Sequence, residues 1–262
     1  MSSINEDIFN EAKARLRRIE AEQGIRILYA GEVGSRARGV QSSDADYDVR
    51  FLFVRPVAEY LKLTSKPATI AVEDGPWDLK GIDLRETLVR LKDGDPMTLL
   101  WLYTNPVYRN HPIFETEMHK RLESYASLNK LVHHFFERLS PLLGRLESRT
   151  GVTYKTLMDA VEMVLSINWV EKRNTLPLLD FDEFLLTSNL PAELAGDIET
   201  LVAEKNENVE AAPVDTARYE RVIEYVLAEA HAPAEPSASR PNVDDDDINE
   251  FFLRWIGFDK KL

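Results

Sequence analysis

The stretch GEVGSRARGVQSSDADYDVRFLFV, from Gly31 to Val54, constrains this chain more than any other. The apolar run IRILYAG leads into it and reads as a first strand. The chain then turns through Gly34, Ser35 and Gly39 and resumes as a second strand, YDVRFLFV. Side chains alternate along a strand, so Asp46, Asp48, Arg50 and Leu52 share one face, and Tyr47, Val49, Phe51 and Phe53 share the other. Carboxylates side by side raise each other's pKa unless a cation sits between them. A divalent cation is the economical answer, and hard oxygen ligands of this kind suit Mg²⁺ or Mn²⁺. Upstream, Gly34 and Ser35 open a turn into the short helix RARG, where backbone N–H groups and a missing side chain favour a phosphate. Alone, a Gly-Ser turn is usually only a turn, and an acidic pair is usually a solvated edge. In this order, followed by an apolar strand, they describe a phosphate cradle beside metal carboxylates, which is what phosphoryl or nucleotidyl transfer requires.

The remaining chain divides by pattern. SINE, with Ser3 and Glu6, reads as a capping box opening an amphipathic helix that runs to about Glu22 and ends at Gly24. ATIAVED and PWDLKGI read as two more strands, with Glu73 and Asp74 given to the turn at Gly75. DLRETLVRLKDGDP reads as a helix capped by Asp83 and Glu86 and stopped by Asp93 to Pro96. Strand signals then fade. The stretches from Glu115 to Ser148, Tyr154 to Arg173 and Pro213 to Ala232 carry a 3.6-residue period and predict a helical region. APAEPSASRPN is a Pro/Ser/Ala-rich linker, and DDDDINEFFLRWIGFDKKL an amphipathic tail offering Phe251, Phe252, Trp255, Ile256 and Phe258 to a partner surface. The expected organisation is an α+β domain over 1–112, a helical domain over 113–231, a linker over 232–242 and a tail helix over 243–262.

Composition narrows the function. With 32 Lys and Arg against 45 Asp and Glu, the net charge is −13, which argues against a broad duplex-DNA surface, because phosphate neutralisation needs clustered cations. The absence of cysteine excludes thiolate metal sites, cysteine nucleophiles and disulfides, and a reducing cytoplasm is the natural expectation. No apolar run is long enough for a membrane span, and no signal peptide is expected from the acidic, amphipathic start. The five histidines are scattered and form no metal-ligand pattern. His133 and His134, beside Phe135 and Phe136, read as packed helix residues, as do Trp101 and Tyr103.

The motif GSRARG…SDADYDVRF resembles the signature of the DNA polymerase β superfamily of nucleotidyltransferases. The wider pattern is similar to a bacterial and phage branch of that superfamily associated with RNA repair. Glu32 precedes the turn, Asp48-Val49-Arg50-Phe51 follow it, and GIDLRETLVRLKDGDPMTLLWLYTNPVY keeps the later spacing. The likeness covers about residues 28–110. It implies a polymerase-β-like mixed sheet with flanking helices, followed by an all-helical C-terminal domain. The activity implied is Mg²⁺- or Mn²⁺-dependent transfer of a nucleoside monophosphate from an NTP to an RNA 3′ end, a protein or a small molecule, with release of pyrophosphate.

Residue by residue, the resemblance makes Asp46 and Asp48 the metal-binding pair and leaves Asp44 just outside it. A third acid from a neighbouring strand implies Asp78 or Asp83. Asp78 is preferred, because Asp83 already caps a helix. The implied phosphate and nucleotide contacts are Gly34, Ser35, Arg36, Arg38, Arg50 and Lys155. Arg36 and Arg38 read more readily as exposed helix arginines, and Arg50 equally as an ion-pair partner of the carboxylates. The resembling group carries an arginine one or two turns beyond the lysine at 155, where this chain has Glu162, so that contact either lapses or shifts to Lys155 and Lys172. A different class of protein also fits, namely a non-catalytic nucleotide-binding or antitoxin-like interaction protein on the same fold. Retention of both Asp46 and Asp48 argues against it.

Overall fold

The computed structural model describes residues 6–233 and 243–257. The expected Ser3 cap, Phe258 and most of the 232–242 linker lie outside them. The described residues form two compact units. One holds 6–34, 46–126 and 243–257, and the other 35–45 and 127–233.

The first unit is built on a mixed five-stranded sheet in the order β3-β4-β2-β1-β5. Its strands are β1 (Arg26–Glu32), β2 (Tyr47–Val54), β3 (Thr69–Asp74), β4 (Trp77–Asp83) and β5 (Val107–Asn110). β2 runs antiparallel to β1 and parallel to β4, while β3–β4 and β1–β5 are antiparallel. Alternation along β2 sets the layers. Val49, Phe51 and Phe53 join Ile27, Leu79 and Tyr108 in a core closed by Ala12, Leu16 and Ile19 of α1 (Glu6–Gln23). Each of these large side chains contributes about 1.5–3 kcal/mol by leaving water. Gly81 makes room for this packing, since a Cβ there would lie 2.1 Å from the Phe51 ring. The opposite face carries Leu52 and Ile82, with α4 (Leu84–Lys92) beyond them.

Glu73 and Asp74, expected in the turn, are paired residues of β3, and the turn is Gly75-Pro76. Asp74 also binds Arg15 at 3.2 Å and Arg18 at 3.0 Å, tying the hairpin to α1. The periodicity from Glu115 to Ser148 belongs to two helices, α6 (Pro112–Tyr125) and α7 (Leu128–Ser148). Ala126 and Ser127 are extended between them, and Ser127 caps α7. α6 therefore packs with the sheet unit through Phe114, Met118 and Leu122, which puts the packing boundary after Ala126 rather than after residue 112.

The tail helix α12 (Asp245–Ile256) packs within its own chain. Phe114 stacks on Phe251 at 5.8 Å and meets Trp255 edge-on at 5.1 Å, while Arg121 binds Asp247 at 2.5 Å. Asp244, the first residue of the acidic run, caps the helix by accepting from Asp246 and Asp247 N–H.

The second unit is helical: α7, α8 (Tyr154–Arg173), α9 (Phe181–Thr187), α10 (Ala192–Glu207) and α11 (Glu220–Glu229). α8 is its axis, buried at every residue from Thr156 to Val170 apart from Asp159. Among the described residues no helix is long and apolar enough to cross a membrane.

Candidate active site

The parallel β2–β4 ladder places Asp48 directly opposite Asp78, with Tyr47 opposite Trp77 and Arg50 opposite Lys80. Neighbouring strands lie about 5 Å apart, so register alone brings the two carboxylates together. A single guanidinium nitrogen joins them: Arg50 Nη2 donates to Asp48 Oδ1 at 3.0 Å and to Asp78 Oδ2 at 3.1 Å. Its Nη1 donates to the Asp78 and Val49 carbonyls at 2.9 and 3.2 Å, and its face lies 5.8 Å from the Trp101 ring. Lys80 adds a second cation, 2.8 Å from Asp78 Oδ2.

These charges push the two acids apart. Burial raises the Asp48 pKa, and the neighbouring Asp78 charge adds to that against the opposing pull of Arg50. Burial pushes Asp78 up as well, but Lys80 and Arg50 together outweigh it and hold its carboxyl below the ordinary range.

The start of β2 is fixed by Glu32 at the end of β1. Buried to 1% exposure, Glu32 accepts the Asp48 N–H at 2.9 Å and the Tyr108 hydroxyl. Val33 N–H donates to the Asp48 carbonyl at 2.8 Å. Gly34 follows with φ +75°, and a Cβ there would lie 2.7 Å from Asp48 Oδ2. Only glycine lets the turn close this tightly on the carboxylate.

Two observations bear on whether these residues fit a divalent cation. Asp78 Oδ1 is buried with no hydrogen-bond partner, a vacancy in coordination that a buried carboxylate oxygen does not ordinarily tolerate. The donor set of two carboxylates and backbone is hard oxygen, as Mg²⁺ and Mn²⁺ prefer. The residues fit. Asp46 stands one residue before β2, exposed, and among the described residues no three acids converge as a ready-made cage. The structure thus brings Asp48 and Asp78 together and leaves Asp46 beside them in the lead-in.

Asp83, the rival third acid, is in different surroundings. It caps α4 by accepting Arg85 N–H at 2.9 Å, takes both bonds from the Tyr60 hydroxyl at 3.1 and 3.0 Å, and lies 3.8 Å from Arg55. The remaining sequence candidates lie in the second unit. Arg36 donates to the Ala45 carbonyl at 3.1 and 2.6 Å, Arg38 meets Glu162 at 2.6 Å, and Lys155 meets Glu210 at 2.6 Å. Asp44 accepts Glu210 N–H at 2.9 Å. Lys80 was not singled out by sequence, although its two-residue spacing from Asp78 on β4 is the available signal.

A family described as RNA repair pathway DNA polymerase beta family, RlaP, matches residues 8–254. An uncharacterized protein of Bacillus subtilis (strain 168), YcgL, is 31% identical over 198 residues, covering 74% of this chain and 75% of that protein. A crystal structure of a nucleotidyltransferase-like protein from Exiguobacterium sibiricum 255-15 aligns over 83% of this chain and 74% of that one, at 11% identity and a TM-score of 0.29. With the family matched from α1 through most of α12, this chain belongs to the RNA repair pathway DNA polymerase beta family.

Proposed function

We propose that the chain is a metal-dependent nucleotidyltransferase, moving a nucleoside monophosphate from an NTP to a hydroxyl acceptor with release of pyrophosphate. The observation that carries this reading is the Asp48–Asp78 pair, facing each other in register with one buried oxygen unpartnered. Family membership supports nucleotidyl transfer in general.

In this reading Asp48 and Asp78, with Asp46 from the lead-in, hold Mg²⁺ or Mn²⁺. The ion would supply charge neutralisation on the triphosphate and activation of the attacking hydroxyl. The chain's own groups arrange the rest. Gly34, without a side chain, lets the turn close on the Asp48 carboxylate. Glu32 fixes the Asp48 backbone, so the carboxylate is aimed before substrate arrives. Arg50 keeps the two carboxylates at a set separation and resists their repulsion. The acceptor oxygen forms a bond to the α-phosphorus as the bond to pyrophosphate breaks, and the hydroxyl proton leaves to a carboxylate or to water. Catalysis is then positioning and charge placement.

The first acceptor to test is an RNA 3′ end, because the matched family is described by an RNA repair pathway. A protein hydroxyl and a small molecule complete the panel, and a cytoplasmic setting accords with the absence of cysteine. The test offers each α-³²P-labelled NTP, with Mg²⁺ or Mn²⁺, to wild type and Asp48→Asn, with tRNA, short RNAs and the protein itself as acceptors. Label transfer by wild type alone supports the reading. Equal transfer by both would end it.

A further inference from the structure

The segment that links the Gly34 turn to Asp46 is grouped with the helices rather than with the strands on either side of it in sequence. Ser35–Ala45 belongs to the helical unit, where four contacts hold it. Arg38 Nη2 lies 2.6 Å from Glu162 Oε2 of α8, and Lys205 of α10 donates its ammonium to the Val40 carbonyl. Further on, Ser43 N–H donates to the Asn208 carbonyl at 3.0 Å, and Asp44 Oδ1 accepts Glu210 N–H at 2.9 Å. The segment also ties itself together, through Arg36 on the Ala45 carbonyl and Val40 N–H on the Ser35 carbonyl at 2.9 Å.

Two of the anchors are costly. Glu162 and Lys205 are each 2% exposed and are the two charged side chains among the buried residues described in the helical unit. Both Glu162 oxygens are buried without a directed hydrogen bond, because the close Arg38 contact is an ion pair outside hydrogen-bond angles. Burial drives the Glu162 pKa up, with Asp159 adding to the rise and Arg38, Lys205 and Arg138 opposing it, and drives the Lys205 pKa down against the pull of Glu162, Glu210 and Asp159. A buried ion network of this sort is weak as a stabiliser, since well-packed apolar residues usually do as well or better. What it does supply is a fixed place for the segment.

We propose that Glu162 and Lys205 are positioning residues for the Ser35–Ala45 segment, the stretch of chain between the Gly34 turn and Asp46, and that nucleotide binding depends on this segment being held. The inference rests on the nucleotidyltransferase reading above. It assigns Arg38 to this clamp instead of to the triphosphate, and it gives Asp44 a task apart from the metal pair. It also accounts for Glu162 where the resembling group carries arginine, since the acid here anchors the segment through Arg38.

The test compares wild type with Glu162→Gln and Lys205→Met, reading amide hydrogen exchange and Mg²⁺·NTP affinity on folded protein, with Asp48→Asn alongside. Lys205→Met keeps the packed stem and removes only the donor. The expected result is faster exchange confined to residues 38–45, unchanged protection in β1 and β2, and affinity weaker by about tenfold or more, the usual cost of removing an outer support of a metal site. Wild-type exchange in the segment, or faster exchange with wild-type affinity, would overturn the proposal and leave a structural ion pair. If Asp48→Asn binds Mg²⁺·NTP as wild type does, the nucleotidyltransferase reading fails and takes the proposal with it. Should either single variant fail to fold, the exchange pattern and affinity of Arg38→Lys provide the same reading.

Discussion

The two ends of β4 carry the same residue type and treat it in opposite ways. At its start, Asp78 has one oxygen shared between Arg50 and Lys80 and the other buried with nothing to bind. At its end, Asp83 is wholly engaged by a helix N-terminus, a tyrosine hydroxyl and an arginine. An acid that holds structure together has its acceptor sites filled by the protein. In the proposed reading, an acid with a site left open, beside a like charge, would hold a metal ion. The difference lies in the neighbours, since the two stand five positions apart on one strand.

That contrast can be broken by five substitutions or conditions. The largest effect is expected for Asp78→Asn and Asp48→Asn, each lowering label transfer by roughly 10³-fold or more, in line with the loss of central electrostatic stabilisation. Their folding stability should change little, because Asp48 loses an unfavourable burial and Asp78 has no helix to cap; chemical denaturation of each variant checks this. Asp83→Ala should do the reverse. Losing the cap costs about 1 kcal/mol and removing the acceptor of the part-buried Tyr60 hydroxyl about 1–3 more, while transfer per folded molecule stays near wild type.

The third prediction concerns pH. Burial raises the folded Asp83 pKa, and its bonds from Arg85 and Tyr60 do not cancel the rise. The folded state therefore holds a proton on Asp83 at pH values where the unfolded state has lost it. Its contribution is fully present below the unfolded value of about 3.9 and is lost as pH rises through the folded value. The stability of wild type relative to Asp83→Asn should accordingly improve as pH falls through that window, and parallel denaturation curves measured from neutral to acid would reveal it. The smallest effect is expected for Lys80→Ala. Its ammonium is nearly half exposed, so stability should move by less than about 1 kcal/mol. The Asp78 pKa should rise towards the ordinary range, which a carboxylate titration by NMR would follow.

The parts of this fold legible in the sequence are those set by near neighbours. Alternation in YDVRFLFV gave Val49, Phe51 and Phe53 to one face, and these are the residues that meet α1. Asp83 ahead of an apolar period announced a helix cap, and the GSRARG turn produced α2 (Gly34–Arg38). The parts not legible depend on residues far apart. Nothing local says that β2 and β4 pair in parallel, which is what sets Asp48 against Asp78. Nothing local marks Arg38 and Glu162 as partners, because each reads as an ordinary charge on a short or amphipathic helix. The break at Ala126-Ser127 was hidden because apolar periodicity continues through it, and only tertiary packing separates α6 from α7. The tail's apolar face was plain in the sequence, but its partner, Phe114 within the same chain, was not.

The most direct measurement is Mn²⁺ binding in the presence of an NTP, followed by the electron paramagnetic resonance of the free ion, for wild type, Asp78→Asn and Asp83→Asn. The account predicts that Asp78→Asn loses the bound ion while Asp83→Asn binds as wild type does, at whatever temperature each remains folded. Retained binding in Asp78→Asn with loss in folded Asp83→Asn would contradict it and place the third carboxylate at the other end of β4.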